Sequence, residues 1–246
     1  MAKPEIRAET VEYEAGGTLL RSYLAYDEAR AGKRPGVIVV HEWWGLNDYI
    51  RGRARMLAEL GYVALAVDMY GNGKLAATPA QAGAEMNKVL AAPAMLEAHF
   101  EAGADFLHGH PAADPQKTAA IGYCFGGAVV LHMGRCGMHL AGVVSFHGNL
   151  SSLHKPDKGG IKARILVCHG AEDKLVGEDQ VKAFKQEMHE AGADYRFVSY
   201  AGALHGFTNP EATAKGREYG LPLAHDAGVD QRSWQEMQSF FKEIFA

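Results

Sequence analysis

Gly122-Tyr123-Cys124-Phe125-Gly126 decides the reading of this chain, because it has the spacing of a nucleophile elbow with sulfur where such a turn usually carries a serine hydroxyl. The apolar run 118–121 leads into it, and the small, helix-compatible run 127–133 follows. That is the strand–turn–helix context an elbow requires. Its glycines have a steric purpose. A sharp turn forces the nucleophile into a strained backbone geometry, and neighbours lacking Cβ let strand and helix approach closely. A cysteine at the apex predicts an attacking sulfur.

The segments around the elbow predict the fold. After the breaker Pro35-Gly36, residues 37–40 form a continuous β-branched run, the pattern of a strand buried on both faces of a parallel sheet. Similar runs recur at 63–67, 118–121, 142–146, 165–168 and 195–200. Helical spacing fills the intervals at 49–60, 80–90, 94–107, 127–133 and 179–191, and an amphipathic stretch at 233–245 closes the chain. Ahead of all this, two alternating segments, 9–14 and 18–26, flank the turn pair Gly16-Gly17 and predict a hairpin. No repeat, low-complexity tract or linker interrupts the pattern, so 1–246 reads as a single domain. The expectation is an α/β-hydrolase fold, with a mostly parallel, twisted sheet of about eight strands and helices on both faces. In such sheets the chemistry lies just beyond the carboxyl ends of the strands.

Composition narrows the function classes. Hydrophobic content of 48% and charged content of 22% over 246 residues suit a soluble globular protein with a sizeable core. A formal net charge of -4 with no basic block argues against nucleic acid or anionic membrane as a partner. The start, Met1-Ala2-Lys3-Pro4, has no apolar leader pattern. The three cysteines are odd in number and widely spaced, so they imply no disulfide framework. A cytoplasmic location suits a catalytic thiol, and a monomer or homodimer is expected.

A thiol is a weak nucleophile until it loses its proton, so Cys124 needs a base and the base needs an orienting acid. The elbow fold places these in the chain order nucleophile, acid, histidine. Asp173 follows the 165–168 run and His205 follows the 195–200 run, each on a loop at a strand's end. Glu172 competes with Asp173 as the acid. Two backbone N–H groups should form an oxyanion hole, one from Phe125 and one from Trp43 in the loop after 37–40.

His-Glu-x-x-Gly-x-Asn at 41–47, Gly-Tyr-Cys-x-Gly-Gly at 122–127, Asp173, and His205-Gly206-Phe207 together resemble the dienelactone hydrolase family, also called carboxymethylenebutenolidases. The resemblance implies a cytoplasmic enzyme that opens small unsaturated lactones or cleaves related esters without a cofactor or metal. It implies a triad of Cys124, Asp173 and His205, with Phe125 and Trp43 as oxyanion donors. It also implies that Glu42 contacts the resting thiol and accepts its proton when substrate arrives. A thiolate generated only on demand would be protected from oxidation. One departure bears on the substrate. Dienelactone-processing members hold the substrate carboxylate with two arginines, whereas 71–96 contains only Lys74 and Lys88, and 206–210 contains no basic residue. A lysine supplies charge but not a planar bidentate fork, so a less anionic ester or lactone is expected.

Other residues carry quieter readings. Trp44, Tyr123 and Phe207 are candidate substrate contacts, and His147 is a candidate pocket residue at a strand end. Cys136 and Cys168 read as small core hydrophobes. Asp68 reads as a structural loop anchor, and Gly71-Asn72-Gly73-Lys74 as a turn rather than a phosphate loop. Segment 209–230 reads either as a lid over the pocket or as cover for the sheet edge. A redox-active thiol protein and a non-catalytic binding domain on a hydrolase fold are the rival functions.

Overall fold

The computed structural model describes residues 4–246, so Met1-Ala2-Lys3 lies outside the described residues. The chain divides into two compact units, Met1–Ala120 and Ile121–Ala246, with the boundary inside a strand. An eight-stranded sheet runs in the order β1-β2-β4-β3-β5-β6-β7-β8.

In the first unit, β1 (Ile6–Ala15) and β2 (Thr18–Asp27) form the expected hairpin. Gly16 and Gly17 turn it with φ of 55° and 77°, a geometry that side chains with a Cβ resist. β3 (Arg34–Val40) pairs in parallel with β4 (Val63–Val67), and β2 joins β4 antiparallel. Every residue of β4 is buried, and both α1 (Asp48–Glu59) and α3 (Pro93–Gly109) pack on it. Asn47 starts α1 by accepting a hydrogen bond from the Ile50 N–H, and Ile50, Ala54, Leu57 and Ala58 form its buried stripe. α2 (Pro79–Leu90) starts on Thr78, with Pro79 in the first turn where no N–H is needed.

β5 (Ala113–Tyr123) starts earlier than its apolar core suggests and leads into the second unit. There β6 (Gly142–Phe146), β7 (Arg164–Gly170) and β8 (Tyr195–Tyr200) are parallel neighbours. α4 (Phe125–Arg135) packs on β6, while α5 (Glu178–Ala191) lies between β7 and β8 in sequence. α7 (Ala227–Ile244) covers β6 and β7 and begins well ahead of the predicted 233. Segment 209–230 is not an open loop. It contains the short helix α6 (Ala212–Tyr219), whose Gly216 is required because a Cβ there would come within 2.5 Å of the Leu223 carbonyl oxygen.

Cys168 is fully buried in β7, as expected, and burial pushes its thiol up to about 12. Cys136 corrects its expectation. It is exposed at the end of α4, where the chain leaves through Gly137 at a φ of 75°. Asp68 is the anchor it was read to be. Its carboxylate accepts hydrogen bonds from the N–H groups of Arg21, Tyr70, Gly71 and Gly73, shaping 71–74 into a turn.

The approach of α4 to β6 is tight enough to test. A Cβ on Gly127 would lie 2.5 Å from Ser145 Oγ and 2.7 Å from Gly148 Cα. Gly127→Ala is predicted to cost about 2 kcal/mol by overpacking, a fall of roughly 4–8 °C in Tm. An unchanged thermal melt would contradict this reading of the helix–strand contact.

Candidate active site

The apex of the site follows β5 directly. Cys124 has φ 53° and ψ -113°, a conformation that L-residues seldom adopt. Three contacts hold it there. Its N–H donates to the Phe146 carbonyl at the end of β6, and its own carbonyl accepts from the N–H groups of Gly127 and Ala128 in the first turn of α4. Gly122 must lack a side chain, since a Cβ would sit 2.0 Å from the Gly126 carbonyl oxygen. Cys124 is partly exposed and sits at the N-terminus of α4. Phe125 is the first residue of α4.

Asp173 lies on the loop after β7 and His205 on the loop after β8. The imidazole donates from Nδ1 to Asp173 Oδ2 at 2.8 Å. Asp173 is itself fixed, because its Oδ1 accepts from the N–H groups of Leu175 and Val176. Glu172 is exposed and takes no part in this bond. His205 Nε2 is buried without a partner of good hydrogen-bond geometry, yet Cys124 is close enough to act on it. Burial alone would lower the imidazole pKa. The Cys124 charge and the hydrogen bond to Asp173 outweigh it and push His205 up to about 10.

The loop carrying His205 is pinned by segment 209–230, which the sequence leaves open between a lid and cover for the sheet edge. The N–H of Ala224 donates to the His205 carbonyl and that of Asp226 to the Phe207 carbonyl. His205 and Leu223 form a parallel bridge.

Within the first unit, the loop after β3 carries Glu42 and Trp43. His41 organises it: Nδ1–H donates to the Glu42 carbonyl at 2.6 Å, and Nε2 accepts from the Met69 N–H at 3.2 Å. Burial lowers the His41 pKa, consistent with this neutral tautomer. Tyr70 adds a hydrogen bond from its hydroxyl to the Trp43 carbonyl. The Glu42 side chain is buried. Lys74, the nearest stand-in for a missing arginine, already pairs with Glu85 at 3.2 Å, while Lys88 is exposed in the last turn of α2.

The three expected substrate contacts, Trp44, Tyr123 and Phe207, are all buried. Tyr123 stacks on Phe146 with ring centroids 4.8 Å apart, and Phe207 packs between His147 and Tyr200. Both rings are core, with no exposed surface. Of the tryptophan pair, Trp44 is nearly covered and Trp43 keeps accessible surface, because Trp44 turns inward while the two rings meet edge-on at 5.1 Å. Sequence reasoning did not single out Thr208. Its hydroxyl meets His147, and only folding reveals that pairing.

The raised His205 pKa has a definite consequence. The folded chain binds this proton more tightly than an unfolded one, so the stability it contributes is complete below about pH 6.5 and is lost as pH rises through about 10. Cys124→Ala removes the largest raising influence, and the His205 titration midpoint followed by NMR is predicted to fall. The same midpoint in both proteins would mean that Cys124 is not its charge partner.

Comparisons with known proteins identify the family. The dienelactone hydrolase family model matches residues 20–245. Protein usf of Aquifex pyrophilus is 31% identical over 240 residues, covering 96% of this chain and 98% of that protein. A dienelactone hydrolase-like promiscuous phosphotriesterase from metagenomic libraries is 38% identical, with a TM-score of 0.92 over 97% of this chain and 98% of that one. A dienelactone hydrolase from Anabaena variabilis, 18% identical, shares the fold with a TM-score of 0.60 over 89% of this chain and 97% of its own. The chain belongs to the dienelactone hydrolase family, enzymes that hydrolyse carboxylic esters and lactones.

Proposed function

We propose that this protein hydrolyses small, weakly anionic esters or enol lactones through a Cys124 thiolate and an acyl-thioester intermediate. The observation that carries the reading is the Asp173–His205 hydrogen bond of 2.8 Å, together with the influence of Cys124 on the same imidazole. Asp173 orients the ring and supports its charge, and His205 exchanges the proton with sulfur. The thiolate attacks the acyl carbonyl, and the backbone N–H groups of Phe125 and Trp43 hold the tetrahedral oxyanion. The intermediate collapses with departure of the alkoxide or enolate, and His205 then activates water to release the acid. Sulfur is itself readily expelled from a tetrahedral intermediate. A stabilised enolate competes with it as a leaving group, and a simple alkoxide competes poorly.

Glu42 is the second proton acceptor in this proposal, drawing on the thiol when substrate arrives. Its burial and the clamp that His41 places on its loop support the assignment. The absence of arginine from 71–96 and the Lys74–Glu85 pair support a substrate with little negative charge. No helix among the described residues is long and apolar enough to cross a membrane. We propose a cytoplasmic enzyme acting on small molecules, as a monomer or homodimer.

A second reading is phosphotriester turnover, favoured by the 38% identical promiscuous phosphotriesterase. The same thiolate would attack phosphorus. A panel of enol esters, aryl esters, lactones of differing charge and an aryl phosphotriester separates the two readings by kcat/KM. Neutral enol esters or lactones are predicted to exceed both dienelactone and the phosphotriester. Cys124→Ala is predicted to lower kcat by roughly 10³-fold or more while retaining the fold. Glu42→Gln is predicted to lower it by about 10- to 100-fold with KM little changed. Wild-type turnover in Cys124→Ala would rule the mechanism out.

A further inference from the structure

His147 occupies the residue after β6, at a φ of 41°. Among the described residues only Asn72 and Cys124 share a positive φ without being glycine. A histidine there is strained, so the surrounding structure must fix it. Its N–H donates to the Cys168 carbonyl at 2.8 Å, which continues the β6–β7 ladder one step beyond the strand. The ring is fully buried. Nε2 is hydrogen-bonded to Thr208 Oγ1 at 2.7 Å. The ring meets His205 at 5.2 Å between centroids with an interplanar angle of 64°, and Phe207 at 5.0 Å and 82°.

These contacts reach the part of His205 that the Asp173 bond leaves free. Nδ1 is committed to Asp173 while Nε2 has no partner of good hydrogen-bond geometry, and a single hydrogen bond permits the ring to rock about its side-chain torsions. An aromatic neighbour packed at a steep angle blocks that motion. Thr208 lies on the same loop as His205, so the His147–Thr208 bond ties the loop to the end of β6. The N–H of Cys124 is bonded to Phe146, the last residue of that strand. The end of β6 therefore references both nucleophile and base to one backbone position.

We infer that His147, through its hydrogen bond to Thr208 and its ring contact with His205, is the positioning residue that fixes the angle of the catalytic imidazole. This rests on the proposed role of His205 as base. It assigns no proton transfer to His147. A reacting group misplaced by about 1 Å can lose about 10²-fold in rate, so loss of a buttress should appear in kcat rather than in binding.

Three variants isolate the effect. His147→Asn tolerates the positive φ but is too short to reach either partner. Thr208→Val keeps the volume and removes the hydroxyl, and Thr208→Ser restores it. Each loss variant is predicted to lower kcat about tenfold for an enol ester with KM within about twofold, as an orientation defect requires. The double variant His147→Asn/Thr208→Val is predicted to be no worse than the worse single one, because both remove one coupled unit. Thr208→Ser is predicted to recover most of the loss. The low-field proton resonance of His205 Nδ1–H should broaden in both loss variants and sharpen again in Thr208→Ser. Cys124→Ala, assayed alongside, separates two failures. If it is inactive while both loss variants keep wild-type kcat and a sharp resonance, the positioning role is overturned and the hydrolase mechanism stands. If it remains active, both fall. Additive losses in the double variant would also overturn the proposal.

Discussion

A single backbone conformation, φ 53° and ψ -113° at Cys124, is the constraint on which the arrangement depends. It is reachable because Gly122 has no Cβ to strike the Gly126 carbonyl, and because Gly127 and Gly148 let α4 settle against the end of β6. The cost of the strained residue is met by hydrogen bonds on both sides, from Cys124 N–H to Phe146 and from the first turn of α4 back to the Cys124 carbonyl. The turn leaves Cys124 partly exposed at the start of a helix. A serine in the same place would need deprotonation at the moment of attack. A thiol, more acidic than a serine hydroxyl, gives its proton to a neighbouring base more readily.

Electrostatics then links the elbow to the loops after β7 and β8. His205 is buried, which by itself disfavours a charged imidazole, and Cys124 and Asp173 reverse that preference. Asp173 has little freedom to move, because two backbone N–H groups hold its other oxygen. The strand ends supply the rigidity and the loops supply the functional groups. His147, strained like Cys124 and placed at the end of the neighbouring strand β6, belongs to the same logic.

Much of this was legible in the sequence where burial imposes a pattern. β4 was read to the residue, since a strand covered on both faces must be apolar throughout. The Gly16-Gly17 turn was legible because only glycine adopts that pair of angles readily. The elbow at Cys124 and the loops that bring Asp173 to His205 were legible from their order and their places after strands. What sequence could not carry was direction and enclosure. Tyr123 and Phe207 lie beside Cys124 and His205 in the chain, yet their rings point into the core. Cys136 sits beside an apolar run, yet the helix ends there and leaves it exposed. α6 was hidden because Gly216 is a poor helix former, kept there by the close approach of the Leu223 carbonyl. The His147–Thr208 pair joins positions far apart in the chain and has no local signature.

The substrate question turns on charge. The proposed preference for weakly anionic substrates rests on the absence of arginine from 71–96 and on the Lys74–Glu85 pair. Chemistry and specificity are thus separable, and the chemistry is the central claim. Rapid-quench mass spectrometry of the wild-type protein mixed with excess aryl ester tests it most directly. The account predicts transient addition of one acyl group, located on the peptide carrying Cys124 and removed by neutral hydroxylamine as a thioester is. Steady turnover with no adduct on that peptide, or an adduct on another residue, would contradict it.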